Sequence, residues 1–210
     1  MHWIHAGLIA STLYLGWTVA AQTHVEGEVR RSIAATPLEN RRVLVTGHTG
    51  FKGGWLCLWL QTMGAEVTGY ALPPATQPNL FEIASVGQKM ESILADIRDP
   101  DHLRAAFSKR RPEIVFHLAA QAEILPAYSH PVETYSANVM GTVHVLEAVR
   151  QSQSVRAVVV VTSDKCYENR DSGQAYRESD PLGGADPYSS SKGCAELVAA
   201  AYRSSFFNPV

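Results

Sequence analysis

The segment Val43-Leu44-Val45-Thr46-Gly47-His48-Thr49-Gly50-Phe51-Lys52-Gly53 decides the fold. It begins with a short apolar run, which is typical of a buried parallel strand, and continues into a turn with three evenly spaced glycines. Apolar residues then recur at helical spacing as far as Met63, and Gly64 is placed to end that helix. A glycine turn between a strand and a helix lets the backbone approach a pyrophosphate group at the helix N-terminus. The spacing is GxxGxxG, which differs from the GxGxxG of the standard dinucleotide fingerprint.

Strands and helices alternate through the rest of the chain. We predict further strands at 66–71, 93–97, 113–118 and 155–161, and further helices at 99–109, 131–151 and 187–206. Such alternation implies right-handed crossovers and an α/β fold, a doubly wound parallel sheet that is Rossmann-like. The chain stops at Val210, where another loop or strand would be expected, so we expect the sheet to be incomplete at the C-terminus.

Composition and charge exclude several classes of function. The 210 residues include 46% hydrophobic and 18% charged residues, as in a folded globular protein. The net charge of -2 and the scattered basic residues give no case for nucleic-acid binding. Three cysteines without a CxxC pair favour a reducing, cytoplasmic location. The histidines have no metal-ligand spacing, so we predict no metal site.

The first forty residues do not follow this pattern. Residues 3–21 are largely apolar and about long enough to cross a bilayer, but no Lys or Arg precedes them as in a secretory signal. They could form a membrane anchor, a degenerate signal peptide or a non-native extension, and we favour the last. We therefore predict that residues 41–210 form the domain and that residues 1–40 lie outside it.

Two further segments are predicted to contact the same dinucleotide as the glycine turn. Asp96 and Ile97 would end the third strand, where a carboxylate can bind the adenine amino group; a solvated strand end is the alternative. The end of the second strand usually carries the acid that binds the ribose of NAD, but here it has neither an acid nor a base, so NAD and NADP are not distinguished. The predicted contacts are Gly47, Thr49, Gly50, Phe51, Gly53, Asp96, Ile97, Leu118, Ala119, Ala120, Tyr188 and Lys192.

The last predicted helix carries a candidate proton-transfer pair. Asp186 is placed as its N-cap, and Pro187 follows in the first turn. Tyr188 and Lys192 are four residues apart, so both point from one helix face. The lysine ammonium favours the phenolate, and such a tyrosine can take a proton from a hydroxyl while hydride leaves the same carbon.

A second set of candidate catalytic residues ends the fifth strand. Ser163 would lie at the carboxyl edge of the sheet, where α/β proteins bind ligands, and could hydrogen-bond to the reacting hydroxyl. Asp164 and Lys165 follow, an acid and a base beyond what a simple dehydrogenase requires. Mutual pairing of these two side chains is the alternative.

Together these segments resemble the nucleotide-sugar branch of the extended short-chain dehydrogenases, and within it the CDP-glucose 4,6-dehydratases. The similarity runs from about Arg41 to the end and depends most on residues 47–55, 162–167 and 188–196. The dTDP-glucose dehydratases are similar but carry Thr-Asp-Glu where this chain has Ser163-Asp164-Lys165. The lysine is what favours the CDP-glucose group.

The resemblance implies a lyase that uses NAD catalytically in deoxysugar biosynthesis, such as that of lipopolysaccharide O-antigen. Tyr188, helped by Lys192 and Ser163, would deprotonate the C4 hydroxyl of CDP-glucose as hydride passes to NAD. Lys165 would remove the C5 proton, Asp164 would protonate the departing C6 hydroxyl, and hydride would return to C6. The family also implies a homodimer through the helices at 131–151 and 187–206.

Two departures from the family keep other functions open. Leu125 stands where the family has an Arg, which predicts altered contacts with the substrate. The family's C-terminal substrate domain is missing as well. The alternatives are an epimerase or a dehydratase acting on GDP-mannose or dTDP-glucose, or an NAD-binding fragment without activity. The run from Ser163 to Lys165 argues against an epimerase. We expect a nucleotide-sugar substrate, no nucleic-acid partner, and no membrane contact unless residues 3–21 are an anchor.

Overall fold

A six-stranded parallel sheet forms the centre of the molecule. The computed structural model describes residues 2–3, 38–170 and 175–207. The strands are β1 (His2–Trp3), β2 (Arg42–Thr46), β3 (Glu66–Ala71), β4 (Glu91–Leu94), β5 (Ile114–His117) and β6 (Ala157–Val160). Their order in the sheet is β1-β6-β5-β2-β3-β4, and every neighbouring pair is parallel.

Seven helices connect and flank these strands within the described residues. They are α1 (Phe51–Thr62), α2 (Leu80–Ile83), α3 (Pro100–Arg110), α4 (Ile124–Ser129), α5 (Pro131–Tyr135), α6 (Gly141–Gln151) and α7 (Pro187–Tyr202). A π-helical turn, Ser136–Met140, joins α5 to α6, and another, Arg203–Phe207, follows α7. Short 3₁₀ helices lie at Val86–Lys89 and Asp164–Cys166. None of the described helices is both long and apolar enough to cross a bilayer.

Helices cover both faces of the sheet because successive residues of a strand point to opposite sides. Leu44 of β2 lies in a buried cluster with Leu103 of α3 and Leu146 of α6. Its neighbours Val43 and Val45 lie in a second cluster, which α1 covers. The predicted α/β fold, a doubly wound parallel sheet, is therefore confirmed.

Most predicted elements are found within one or two residues of their predicted bounds. Asp99 caps α3 by accepting the N–H groups of Asp101 and His102, and Asp186 caps α7 by accepting that of Ser189. The predicted helix at 131–151 is continuous except for the π-helical turn. The helix α4 was not predicted, because it is only six residues long and contains Pro126.

The predicted bounds of the third main strand were wrong. β4 ends at Leu94, so Asp96 and Ile97 lie beyond it. The chain turns there because the Asp96 carboxylate accepts the N–H of Arg98 at 2.9 Å and the Asp96 carbonyl accepts that of Asp99 at 3.1 Å. An aspartate that bonds to the backbone two residues on is a common cause of such turns.

Two residues of the N-terminal segment belong to the sheet. His2 and Trp3 pair with Ala157 and Val158 at the edge next to β6. The sequence predicts that residues 1–40 lie outside the domain, and this two-residue strand differs from that prediction. Residues 4–37 lie outside the described residues.

The glycine turn after β2 depends on two positions that leave no room for a side chain. Gly47 has a φ of +77°, and a Cβ there would lie 2.8 Å from the backbone nitrogen of Ala119. A Cβ on Gly53 would overlap the Gly47 carbonyl group, at 2.8 Å from its carbon. Gly50 is different, since its φ is -76° and a Cβ would lie 3.4 Å from the Gly47 oxygen. The turn therefore packs tightly against the start of α1 and against the segment after β5.

We expect Gly53→Ala to lower the free energy of unfolding by about 1–3 kcal/mol, because the new methyl group overlaps backbone that cannot move alone. Gly50→Ala is the matched control and should change it by less than about 1 kcal/mol. Urea unfolding of both variants, with unchanged m-values, measures the difference. Equal stability of the two would contradict the packing described for this turn.

Candidate active site

The carboxyl ends of β2, β5 and β6 meet at one edge of the sheet, and each continues into a segment with candidate site residues. The glycine turn follows β2, Leu118 to Ala120 follow β5, and Ser163 follows β6. The helix α7, which carries Tyr188, packs against the 3₁₀ helix after Ser163. Open α/β sheets bind their ligands at this edge.

A buried chain of hydrogen bonds joins these segments. Thr46 Oγ1 lies 2.7 Å from His117 Nδ1, and His117 Nε2 lies 3.1 Å from Thr142 Oγ1. Thr142 Oγ1 donates to the carbonyl of Asn138 at 2.6 Å, so it must accept from Nε2–H, and Nδ1 then accepts from the Thr46 hydroxyl. Burial, together with the nearby charge of Lys192, lowers the pKa of His117 to about 3, so the ring is neutral near pH 7.

The Thr46 hydroxyl also fixes the backbone after β5. Its oxygen accepts the N–H groups of Leu118 and Ala119, each at 3.1 Å. This bonding holds Ala119 against Gly47, where the close approach of the two backbones excludes a side chain. The sequence pattern did not identify Thr46, His117 or Thr142 as site residues, because their contacts lie far apart along the chain.

Asn138, in the π-helical turn, connects the segment after β5 to α7. Its amide group donates to the Gln121 carbonyl at 3.0 Å and to Ser191 Oγ at 2.8 Å, and its oxygen accepts the Gln121 N–H at 2.8 Å. Ser191 Oγ donates in turn to the carbonyl of Tyr188 at 2.7 Å. Asn138 is 2% exposed, and sequence reasoning missed it. A polar residue on the buried face of a predicted helix is the signal that could have found it.

Tyr188 and Lys192 are both buried on one face of α7, as predicted. Burial, with the positive charge of Lys52 acting in the same direction, lowers the pKa of Lys192 to about 8, against the opposing effect of Glu196. The ammonium therefore remains protonated near pH 7 but can release its proton only slightly above it. A lysine of this kind suits a site where a proton must be moved.

The predicted acid and base after β6 do not pair with each other. Ser163 Oγ donates to Asp164 Oδ1 at 3.0 Å and accepts the N–H of Lys165 at 3.3 Å. Asp164 and Lys165 are exposed, and among the described residues no ion pair joins them. Although burial acts to raise it, the pKa of Asp186, the N-cap of α7, is lowered by hydrogen bonds from Ser189 and, to the smallest extent, by the charge of Lys165.

A cavity of about 370 Å³ lies beside these residues. It brings together three of the five predicted catalytic residues, namely Ser163, Lys165 and Tyr188. Asp164 and Lys192 do not line it. The remaining lining residues belong to the segment after β5 that departs from the family pattern: Ala122, Glu123, Ile124, Leu125 and Pro126.

The other predicted cofactor contacts differ in their accessibility. Thr49 Oγ1 donates to the Leu72 carbonyl at 2.8 Å and so ties the glycine turn to the end of β3, and Phe51 is exposed. The carboxylate of Asp96 binds the guanidinium of Arg98 at 2.6–3.0 Å, which lowers the pKa of Asp96. Its predicted contact with adenine stays a prediction.

Ile97 and the small residues after β5 lie in different surroundings. Ile97 is buried in the core and packs against Gly141, where a Cβ would come within 2.9 Å of its side chain. The residues from Leu118 to Ala120 are half-buried at the sheet edge beside the glycine turn. The predicted contacts of Leu118 to Ala120 with the dinucleotide stay a prediction, whereas the Ile97 side chain is directed into the core.

The buried ring of His48 explains why Gly69, inside β3, has no side chain. The ring is fully buried, its Nε2 lies 2.7 Å from Ser92 Oγ, and burial lowers its pKa to about 4. A Cβ on Gly69 would overlap this ring, at 2.7 Å from its Nδ1. Gly69 is therefore required by the packing of His48.

Comparison with known families gives matches over most of the chain. The family model described as GDP-mannose 4,6 dehydratase matches residues 44–210. A CDP-glucose 4,6-dehydratase of Salmonella typhimurium is 60% identical over 171 residues, which is 81% of this chain and 48% of that protein. The chain thus spans about half the length of the curated relatives it matches.

Solved structures agree with this result. A UDP-glucose 4-epimerase of Thermus thermophilus, in complex with NAD, is 30% identical with a TM-score of 0.69, over 79% of this chain and 52% of that one. A UDP-glucose 4-epimerase of Brucella ovis, also in complex with NAD, is 26% identical with a TM-score of 0.66, over 80% and 49% of the two chains.

Proposed function

The chain belongs to the GDP-mannose 4,6-dehydratase family, and from this premise we propose that it carries the catalytic residues of a nucleotide-sugar 4,6-dehydratase of deoxysugar biosynthesis. We propose CDP-glucose as its substrate and CDP-4-keto-6-deoxyglucose as its product, and residues 41–210 as its cofactor-binding catalytic domain. The observation that carries this proposal is the cavity that Ser163, Lys165 and Tyr188 line together. The identity to a CDP-glucose 4,6-dehydratase supports the choice of nucleotide.

We propose NAD as the cofactor, which supplies a hydride acceptor for C4 and a hydride donor for C6. The turn from Gly47 to Gly53 fits a dinucleotide, because close backbone packing at Gly47 and Gly53 holds it at the carboxyl end of β2, directly before the N-terminus of α1. Residues 47–53 and 118–120 would hold it. The NAD complexes of the two similar epimerases support this assignment.

In this proposal Tyr188 accepts the proton of the C4 hydroxyl, and Ser163 hydrogen-bonds to the same group. The neighbouring ammonium of Lys192 stabilises the phenolate form of the tyrosine by charge attraction. The hydrogen bonds of Ser191 and Asn138 fix the backbone at Tyr188. The Tyr188 side chain is therefore held in one position, from which it can orient the C4 hydroxyl of the substrate.

Elimination requires a base at C5 and an acid at C6. A ketone at C4 makes the C5 proton acidic, because the carbanion is delocalised into the carbonyl. Lys165 lines the cavity and is our candidate for the base. Asp164 is our candidate for the acid, and since its carboxylate is bound by Ser163 and does not line the cavity, this role requires that the bond be broken when substrate binds.

The reaction is tested with the product of the complete gene, supplied with NAD and one nucleotide sugar at a time. We expect CDP-glucose to lose one water and to give a 4-keto product by mass spectrometry, and dTDP-glucose and GDP-mannose to remain unchanged. Tyr188→Phe should lower kcat by roughly 10²- to 10⁴-fold, because general base catalysis is lost. Turnover of GDP-mannose or dTDP-glucose instead would overturn the choice of substrate, and binding of NAD without any turnover would favour a non-catalytic role.

The same assay in D₂O tests the base. Lys165→Met should retain oxidation at C4 but lose the exchange of deuterium into C5. Lys109→Met, an exposed lysine of α3 that does not line the cavity, is the matched control. If Lys165→Met still exchanges C5 as the wild type does, Lys165 is not the base.

We also propose a homodimer through α5, α6 and α7 with their adjoining segments. Large apolar side chains on these elements remain exposed: Val132, 76% exposed, and Met140, Leu197 and Phe206, 46% to 59% exposed. Sedimentation should give a dimer for the wild type and a shift towards monomer for Leu197→Glu, since a charge in an apolar interface is costly. Leu94→Glu, at an exposed leucine of β4, is the control, and an equal effect of both would contradict this interface.

We further propose a cytoplasmic location, which the state of the cysteines supports. Cys57, Cys166 and Cys194 are all free, as is usual in a reducing compartment. Cell fractionation of the tagged natural gene product should recover it with cytoplasmic markers. Recovery with membranes or in the medium would overturn this location.

A further inference from the structure

We propose that Glu123 determines specificity by binding the hydroxyl groups at C2 and C3 of the substrate's sugar ring. The inference rests on the proposed function, because it assumes a hexose in the cavity beside Tyr188. It deepens that function by assigning one wall of the cavity to recognition of the sugar.

Glu123 is the single carboxylate among the residues that line the cavity. It lies at the N-cap position of α4, but its side chain does not cap that helix. Within the described part of the chain its carboxylate forms no hydrogen bond or ion pair. An ionised carboxylate has two oxygens that can accept several hydrogen bonds, so this group is available to a ligand.

The backbone that carries Glu123 is held in place. Gln121 Nε2 donates to the Glu123 carbonyl at 2.9 Å, and the backbone of Gln121 exchanges two hydrogen bonds with the buried side chain of Asn138. Asn138 also donates to Ser191 on α7. The segment with Glu123 is therefore linked, through Gln121 and Asn138, to α7, the helix that carries Tyr188.

The lining of the cavity matches the chemistry of a hexose. Leu125, which is 80% exposed, and Pro126 offer apolar surface to the C–H face of a sugar ring. Ser163 and Tyr188 are assigned to the C4 hydroxyl and Lys165 to C5, so the hydroxyls at C2 and C3 are left for the remaining polar group, Glu123. These hydroxyls are unchanged by the reaction, so hydrogen bonds to them should stabilise the bound substrate and the transition state equally.

This role has a kinetic consequence that a role in proton transfer would not have. An interaction of equal strength in the ground state and the transition state affects KM and leaves kcat unchanged. Glu123→Gln keeps the size of the side chain but replaces charge-assisted hydrogen bonds with weaker neutral ones. We expect it to raise KM and to leave kcat within about threefold of the wild type.

The experiment measures Kd for CDP-glucose and for CDP by calorimetry, with the NAD-loaded product of the complete gene. For Glu123→Gln we expect roughly tenfold weaker binding of CDP-glucose and unchanged binding of CDP, which lacks the sugar. Glu133→Gln is the matched control, because it removes the same charge from an exposed site of α5 outside the cavity, and both ligands should bind it normally. Unchanged CDP binding also reports that the Glu123→Gln variant is folded.

The outcomes separate this inference from the proposed function. Equal binding of CDP-glucose by wild type and Glu123→Gln overturns the role of Glu123 even if wild type turns the substrate over. If Glu123→Gln binds CDP-glucose more weakly but the wild type forms no product, the sugar site is upheld and the proposed reaction is overturned. A wild type that does not bind CDP-glucose overturns both, and a loss of kcat at unchanged Kd overturns recognition in favour of a chemical role.

Discussion

The hydrogen-bond chain from Thr46 through His117 to Thr142 holds the sheet edge together at the point where the site is built. Buried polar groups are costly unless they are paired, and each of these three finds its partner on a different element. The end of β2, the end of β5 and the start of α6 are therefore fixed relative to one another. Because the Thr46 hydroxyl also accepts the N–H groups after β5, the glycine turn and that segment can approach as closely as they do.

Asn138 extends the same constraint to α7. A π-helical turn places the Asn138 side chain between the Gln121 backbone and Ser191, so the cavity wall and α7 share one buried partner. The electrostatics agree with this arrangement. Burial and the charge of Lys192 lower the pKa of His117, so its ring stays neutral. The ring therefore adds no positive charge near Lys192, whose own pKa is lowered by burial.

Much of the fold could be predicted because its signals are local. The apolar run of β2 and the capping aspartates Asp99 and Asp186 each act over a few residues, and the structure contains all of them. The helix α1 is present as well, although Phe51, Trp55 and Trp59 of its apolar period are exposed. Prediction was wrong at the end of β4, where the side chain of Asp96 turns the chain before the apolar pattern ends. The short helix α4 was missed since six residues with a proline give too little pattern.

The candidate site also contains features that local sequence sets and features that only tertiary packing sets. The sequence by itself determined that Tyr188 and Lys192 share a helix face, since a spacing of four residues sets this within any α-helix. It also indicated the glycine turn, through the order of strand, glycines and helix. Only the tertiary structure decided that Ser163, Lys165 and Tyr188 open into one cavity with Glu123, and that Gly69 must leave room for the His48 ring. These contacts join residues tens of positions apart, and strand order and helix packing, not local pattern, bring them together.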